Sequence, residues 1–152
     1  MKPDGRPDAV AVLVLHGAEE DTRVLLLRRA RGAFAGAWTF VMGLVEDGER
    51  GTEAAARELA EETGLSPVAL YTAGELDTFY DPVRDRIVHV PFFVARVHDG
   101  DVRLEEDVHD EHRWVTFAEA ENVLTFAAQR RVLGEVQRAF VARAPEPWRT
   151  IG

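Results

Sequence analysis

Thirteen residues from Thr52 to Gly64, TEAAARELAEETG, constrain the fold of this chain more than any other stretch. Alanine, leucine, glutamate and arginine are strong helix formers. Thr52 is a residue type that caps helix N-termini, Gly64 is one that closes C-termini, and Pro67 follows as a stop. Glu58, Glu61 and Glu62 fall at i, i+3 and i+4, so their carboxylates project from one face. Ala56, Leu59, Ala60 and Thr63 fall on the opposite face, the side available for packing. Like charges at this spacing cost about 0.2–0.5 kcal/mol per pair. A cation would offset that cost, and carboxylates are the hard oxygen donors that Mg²⁺ and Mn²⁺ prefer. Solvated acidic faces are the ordinary fate of clustered glutamates, so the helix by itself leaves both readings open.

The rest of the chain supplies the partners such a helix needs. Ala9–Leu15 (AVAVLVL) is a short, uncharged, valine-rich run, the pattern of a strand buried on both faces. Residues 16–21 form a polar turn, and Thr22–Arg28 reads as the second strand of a hairpin. Ala37–Val41 is a further short strand. Residues 68–80 and 86–97 are strand-like, the first with a glycine interruption; Pro91 in the second points to an edge or a bulge. Trp114-Val115 is a last short strand, and 116–124 and 126–141 have helical periodicity. One helix between strands, with others after them, suggests a mixed sheet covered on both faces by helices. Periodicity alone gives α+β or α/β. With no repeat or linker in 152 residues, a single domain is expected over 1–152, with loose tails at 1–7 and 144–152.

Composition narrows the chemistry. A net charge of −9 argues against non-specific binding to a nucleic-acid polymer or an anionic membrane surface. The absence of cysteine excludes disulfides, thiol catalysis and thiolate metal sites. The first ten residues lack the apolar run of a signal peptide, and no apolar segment reaches the roughly 18 residues of a membrane span. A cytoplasmic location is the expectation. A phosphate-bearing ligand would meet an acidic protein, a difficulty that a bound divalent cation resolves by inverting the local charge.

The acidic helix ends a longer pattern, G-x5-E-x7-R-E-U-x-E-E-x-G-U with U a bulky aliphatic. It is filled by Gly43, Glu49, Arg57, Glu58, Leu59, Glu61, Glu62, Gly64 and Leu65. Nine matches at fixed spacing arise by chance below roughly once in a billion starts. The pattern resembles the signature of the Nudix hydrolase family. The resemblance implies an α/β/α sandwich with a mixed central sheet, a loop–helix–loop signature and C-terminal helices. It also implies hydrolysis of a pyrophosphate bond in a nucleotide-like substrate, with Mg²⁺ or Mn²⁺ and water attacking phosphorus. Carried over by position, Glu58 and Glu62 are the main metal ligands, with Glu61 and the Gly43 carbonyl as further ligands. Arg57 and Glu49 support them. Glu61, Glu62, Arg57 and Glu49 make up the catalytic set.

Two departures stand out. Val41-Met42 replaces the Pro-Gly that many members have before the signature glycine. A similar turn occurs in members resembling dihydroneopterin triphosphate diphosphatases. Members also often place a glutamate six residues before the tryptophan that leads into the first C-terminal helix; here that position is Val108. Glu106, Asp107 and Glu111 are the nearby substitutes, and Glu111 is the expected downstream metal ligand. Nucleoside triphosphates and pterin triphosphate are the leading substrates. Dinucleoside polyphosphates, nucleotide sugars and a non-catalytic nucleotide-binding module are the alternatives, and a homodimer is in keeping with the family. Arg28, Arg29 and Arg31 could meet phosphates, His109 and His112 flank the acidic run, and Phe79 and Tyr80 could stack on a base. Trp38 reads as core.

Overall fold

Strand β1 (Ala9–His16) is the axis of the fold. In the computed structural model, which describes residues 5–152, it bonds three other strands. Along one edge lie β2 (Arg23–Arg29) and β4 (Val41–Leu44), both antiparallel; along the other lies β6 (Arg86–Arg96), parallel, with Ala11 opposite Phe92. The eight-stranded mixed sheet runs β3-β2-β1-β6-β5-β8. Its remaining strands are β3 (Trp38–Thr39), β5 (Ala69–Asp81), β7 (His109–Val115) and β8 (Thr150–Ile151), with β7 paired to β2. Helix α1 is Gly51–Thr63, α2 is Phe117–Val123, and α3 is Ala127–Val136, prolonged by one π-helical turn over Gln137–Val141.

Helices cover both faces, which is why β1 reads as a continuous apolar run. Ala9, Ala11, Leu13 and Leu15 pack with Phe117, Ala120, Val132, Leu133 and Val136 of α2 and α3. Val10, Val12 and Val14 pack with Ala54, Ala55 and Leu59 of α1. Each valine, leucine or phenylalanine among them, fully buried, stabilises the fold by about 1.5–3 kcal/mol.

The single strand expected over Ala37–Val41 is divided. Trp38-Thr39 pair with β2, after which the chain crosses to pair Val41–Leu44 with β1. Phe40 sits at the crossing, and its N–H donates to Oε1 of Gln129 on α3 (3.1 Å). Pro91 belongs to an interior strand; it faces Leu76 where β5 slips register after Thr72, so the bulge is present and the edge is not. Residues 105–115, expected as an acidic stretch before the two-residue strand Trp114-Val115, divide into a tight turn and the seven-residue β7. Polar and charged residues alternate along β7 without an apolar period, so only its last two residues advertised a strand.

The expected C-terminal tail is ordered. Residues 147–149 form a 3₁₀ turn, Thr150-Ile151 pair with Tyr71 and Leu70, and Arg149 donates to the Ala73 carbonyl (2.6 Å). Gly74, at φ +71°, makes room: a Cβ there would stand 3.0 Å from the Trp148 ring. A two-residue strand has no periodicity to read. Of the expected N-terminal arm, residues 1–4 lie outside the described residues, and Gly5 and Arg6 are exposed. Among the described residues no helix is long and apolar enough to cross a membrane.

Candidate active site

The signature folds as a strand end, a loop and a helix, and one side chain ties them together. Arg57 makes a bidentate pair with Glu49 (2.7 and 2.9 Å) and donates to Glu58 (2.9 Å), to Glu61 (3.1 Å) and to the Leu44 carbonyl (3.0 Å). The loop closes on itself through Glu46 N–H to Glu49 Oε1 and Glu49 N–H to the Glu46 carbonyl, both 3.0 Å, with Gly48 at φ +77°. Helix α1 begins two residues earlier than Thr52 suggests: Arg50 is the N-cap, and its N–H donates to Glu53 Oε1 (3.0 Å). Gly64 ends it at φ +73° as expected.

Gly43 has a steric reason to be glycine. A Cβ there would lie 2.0 Å from Cδ of Glu58, so the Glu58 carboxylate sits where any other residue would put its side chain. The packed face of α1 differs from the expected one: Ala54, Ala55, Leu59, Glu62 and Thr63 are buried, Ala56 is half-buried and Ala60 is exposed. Glu62 is the exception to the usual exposure of glutamate. It is only 4% exposed, and its Oε1 has no hydrogen-bond partner.

Burial, then the neighbouring Glu58 carboxylate, then Glu105, push the Glu62 carboxyl up to about 9. His109 of β7 is buried beside it with Nδ1 3.4 Å from Glu62 Oε1. Burial, and then the charge of Arg29, lower that imidazole to about 4. A neutral imidazole and a protonated carboxyl form no ion pair, and the contact is not aligned as a hydrogen bond, since both atoms lack partners. Glu49 moves the other way, down to about 2, because Arg57 and the Glu46 N–H bond its ionised form.

Glu58, Glu61, Glu62 and Glu105 meet in a cleft of about 460 Å³ that also includes Gly43, Arg29 and Val108. Glu105 was not among the acids singled out from the sequence. It lies in the turn before β7, where Val108 and His109 N–H groups bond its carbonyl (2.9 and 3.0 Å). Glu111, expected as the downstream metal ligand, lies elsewhere and that assignment is withdrawn. In β7 it stands opposite Arg28 and pairs with Arg28 (3.0 Å) and Arg113 (3.3 Å). The bulge between Arg28 and Arg29 decides this: His109 stands opposite Arg29 on the cleft side, whereas Glu111 stands opposite Arg28, which alternation turns to the other face.

Of the candidate arginines, Arg29 lines the cleft, Arg28 is held by Asp110 (2.7 Å) and Glu111, and Arg31 is exposed. Trp38 presents a ring face already covered by Arg113, 4.6 Å from its centroid. Phe79 and Tyr80 project from the β5–β6 hairpin outside the cleft, and Tyr80 bonds Asp85 (2.9 Å). His112 sits in β7 opposite Leu27, also outside the cleft.

A divalent cation fits this donor set. The oxygens are hard, one of them is buried without a partner, and Gly43, with no side chain, lets the Glu58 carboxylate lie against its strand. Among the described residues no three His, Asp or Glu side chains stand close enough together to hold an ion as they are placed, and Arg57 engages Glu58 and Glu61.

A profile of the NUDIX domain matches residues 5–136. The chain is 35% identical over 128 residues to an octanoyltransferase of Myxococcus xanthus, covering 82% of this chain and 35% of that protein. It is 34% identical over 94 residues to an ADP-ribose pyrophosphatase of Methanocaldococcus jannaschii, covering 60% of this chain and 54% of the relative. It therefore spans about a third and about half of these two relatives' lengths. Among solved structures, the MutT protein from Methanosarcina mazei superposes with a TM-score of 0.68 at 30% identity, over 88% of this chain and 96% of that one.

Proposed function

The chain belongs to the NUDIX family, and on that premise we propose that it is a divalent-metal-dependent pyrophosphohydrolase acting on a nucleotide-like substrate. The observation that carries this reading is the convergence of Glu58, Glu61, Glu62 and Glu105 on one cleft, with the Glu62 oxygen buried and unpartnered. Family members generally need divalent metal ions, and the all-oxygen donor set favours Mg²⁺ or Mn²⁺. Glu58, Glu61, Glu62 and the Gly43 carbonyl would hold the ion, with Glu105 facing them. When bound, it neutralises diphosphate charge and lowers the pKa of a coordinated water.

The chain's own residues do the rest. Arg57 fixes Glu49, Glu58 and Glu61 at once, so the acidic wall is oriented before substrate arrives. Glu105, open to solvent and outside the set that holds the ion, accepts the proton that water loses as its oxygen bonds phosphorus. The phosphorus–oxygen bond of the anhydride then breaks, and its electron pair leaves on the departing phosphate. Arg29 places a positive charge on the same cleft for the phosphate oxygens. Nucleoside triphosphates and pterin triphosphate are the leading substrates, ahead of dinucleoside polyphosphates and nucleotide sugars.

The test is product identification from a panel of these diphosphate compounds with Mg²⁺, Mn²⁺ or EDTA. Metal-dependent cleavage between phosphates is expected. Tight binding of nucleotide without turnover of any compound would show a binding module instead.

A further inference from the structure

The cleft has two unlike walls. One is acidic; the other is made by Ala9, Met42, Leu44 and Val108. Leu44 is 72% exposed on it, an aliphatic side chain left in water beside carboxylates. A diphosphate and its counter-ion use only the acidic wall. The apolar wall is chemistry for whatever is attached to the diphosphate.

Met42 is held in place on that wall. Where the chain crosses from β3 to β4, the Gln129 amide from α3 accepts from Phe40 N–H at Oε1 and donates from Nε2 to Met42 Sδ (2.9 Å). Gln129 is 2% exposed; its bond from Phe40 is buried and its contact with Met42 is part-buried, where the wall meets the cleft. A thioether is a weak acceptor, and an unbranched methionine otherwise adapts its shape freely. Directing a buried amide at that sulfur fixes a side chain that would ordinarily be the most adaptable part of the wall.

We propose that Met42 is a specificity-determining residue of the cleft, that Gln129 is the positioning residue that holds it, and that the group they select is a flat heteroaromatic ring, as in a nucleobase or a pterin, over a polyhydroxylated sugar. The proposal rests on the pyrophosphohydrolase reading for placing the diphosphate against the acidic wall. A thioether and two aliphatic side chains make dispersion and sulfur–aromatic contacts with a ring face. They offer the hydroxyls of a sugar no partner, and a hydroxyl buried without one is penalised. Discrimination therefore works in both directions.

The experiment compares wild type, Met42→Ala, Gln129→Leu and the double variant on a nucleoside triphosphate, a pterin triphosphate and 5-phosphoribosyl diphosphate, which carries a sugar but no aromatic ring. In Met42→Ala, kcat/KM for the two aromatic substrates relative to the base-free one should fall about tenfold or more, mainly through KM. Gln129→Leu should shift the ratio in the same direction, yet add less than about twofold when Met42 is already alanine, because contacting residues are not additive. A Gln129 with a merely structural role would lower the melting temperature and leave the ratio alone. Met42→Leu, which conserves volume, should keep the ratio within about threefold and serves if the alanine variant does not fold.

Equal losses on all three substrates, or additive effects of the two substitutions, overturn the proposal. Calorimetric binding of an α,β-methylene nucleoside triphosphate is read alongside. If wild type hydrolyses no diphosphate, the pyrophosphohydrolase reading fails, and the ring-selecting role of Met42 is then decided by whether Met42→Ala weakens that binding about tenfold. The two ring-bearing triphosphates show which ring the wall accepts.

Discussion

Glu62 is where a single residue's environment gives the sharpest expectations. A carboxyl raised to about 9 in the fold and near 4.5 when unfolded favours the folded state while protonated. That stabilisation is complete below about pH 4.5 and is lost as pH rises towards 9. Metal-free protein should therefore melt at progressively lower temperature across that window, and Glu62→Gln should flatten the decline, as read by calorimetry in EDTA. The same variant should abolish metal-dependent turnover while melting without metal at an unchanged or higher temperature. Retained activity would remove Glu62 from the machinery. Gly43→Ala should displace Glu58, whose Cδ lies 2.0 Å from where the new Cβ would be. A loss of activity of about 100-fold or more is expected, with Mg²⁺ affinity measured directly as the second readout. That Glu58, Glu61 and Glu62 share one side of a helix was legible in the sequence, and the resemblance brought Gly43 to them; all four line the cleft. Glu105 was not. Its place in the cleft depends on a turn whose position is set by β7 pairing with β2, and neither event leaves a local pattern.

At the scale of elements, Arg57 makes the loop and α1 one unit. It reaches the Leu44 carbonyl before the loop, Glu49 within it, and two helix carboxylates. Arg57→Ala should release the loop before it unfolds the helix. Hydrogen exchange at Glu46 and Glu49 N–H should quicken severalfold, whereas Leu59 and Thr63 in the packed face keep their protection. Equal acceleration across both segments would show that the arginine supports the whole helix instead. The helical period of residues 52–64 was readable, and so was its glycine stop. Its burial phase differs from the expected one, which sets Ala60 on the packed face and Glu58, Glu61 and Glu62 on the opposite one. The fold turns Glu62 inward and leaves Ala60 exposed. Hydrophobicity scales place glutamate at the surface, so an inward carboxylate that serves chemistry is the kind of residue they misassign. The division of Ala37–Val41 into two strands escaped notice for a different reason. The partner that satisfies Phe40 N–H is Gln129, remote in sequence.

For the molecule as a whole, the sandwich of helices about a mixed sheet followed from element order and the double-sided apolar run of β1. The far edge of the sheet did not. The C-terminal segment closes it, with Arg149 bonded to Ala73, Trp148 beside Gly74 and β8 paired to β5. Shortening the chain after Glu146 should lower stability by about 2 kcal/mol, a fall in melting temperature of about 4–8 °C. Turnover at 25 °C should persist, because none of these residues lines the cleft. The central position of β1 also bears on how the chain reaches this state. Its edge towards β6 is completed by residues about eighty positions later, a non-local closure that slows folding. In the interval, an uncharged and valine-rich segment presents an unpaired edge, the profile of a strand that recruits other chains. Recovery from denaturant should accordingly worsen as protein concentration rises, with light scattering growing during refolding, and a chain whose native surface is strongly acidic would owe its losses to the brief exposure of its most deeply buried strand.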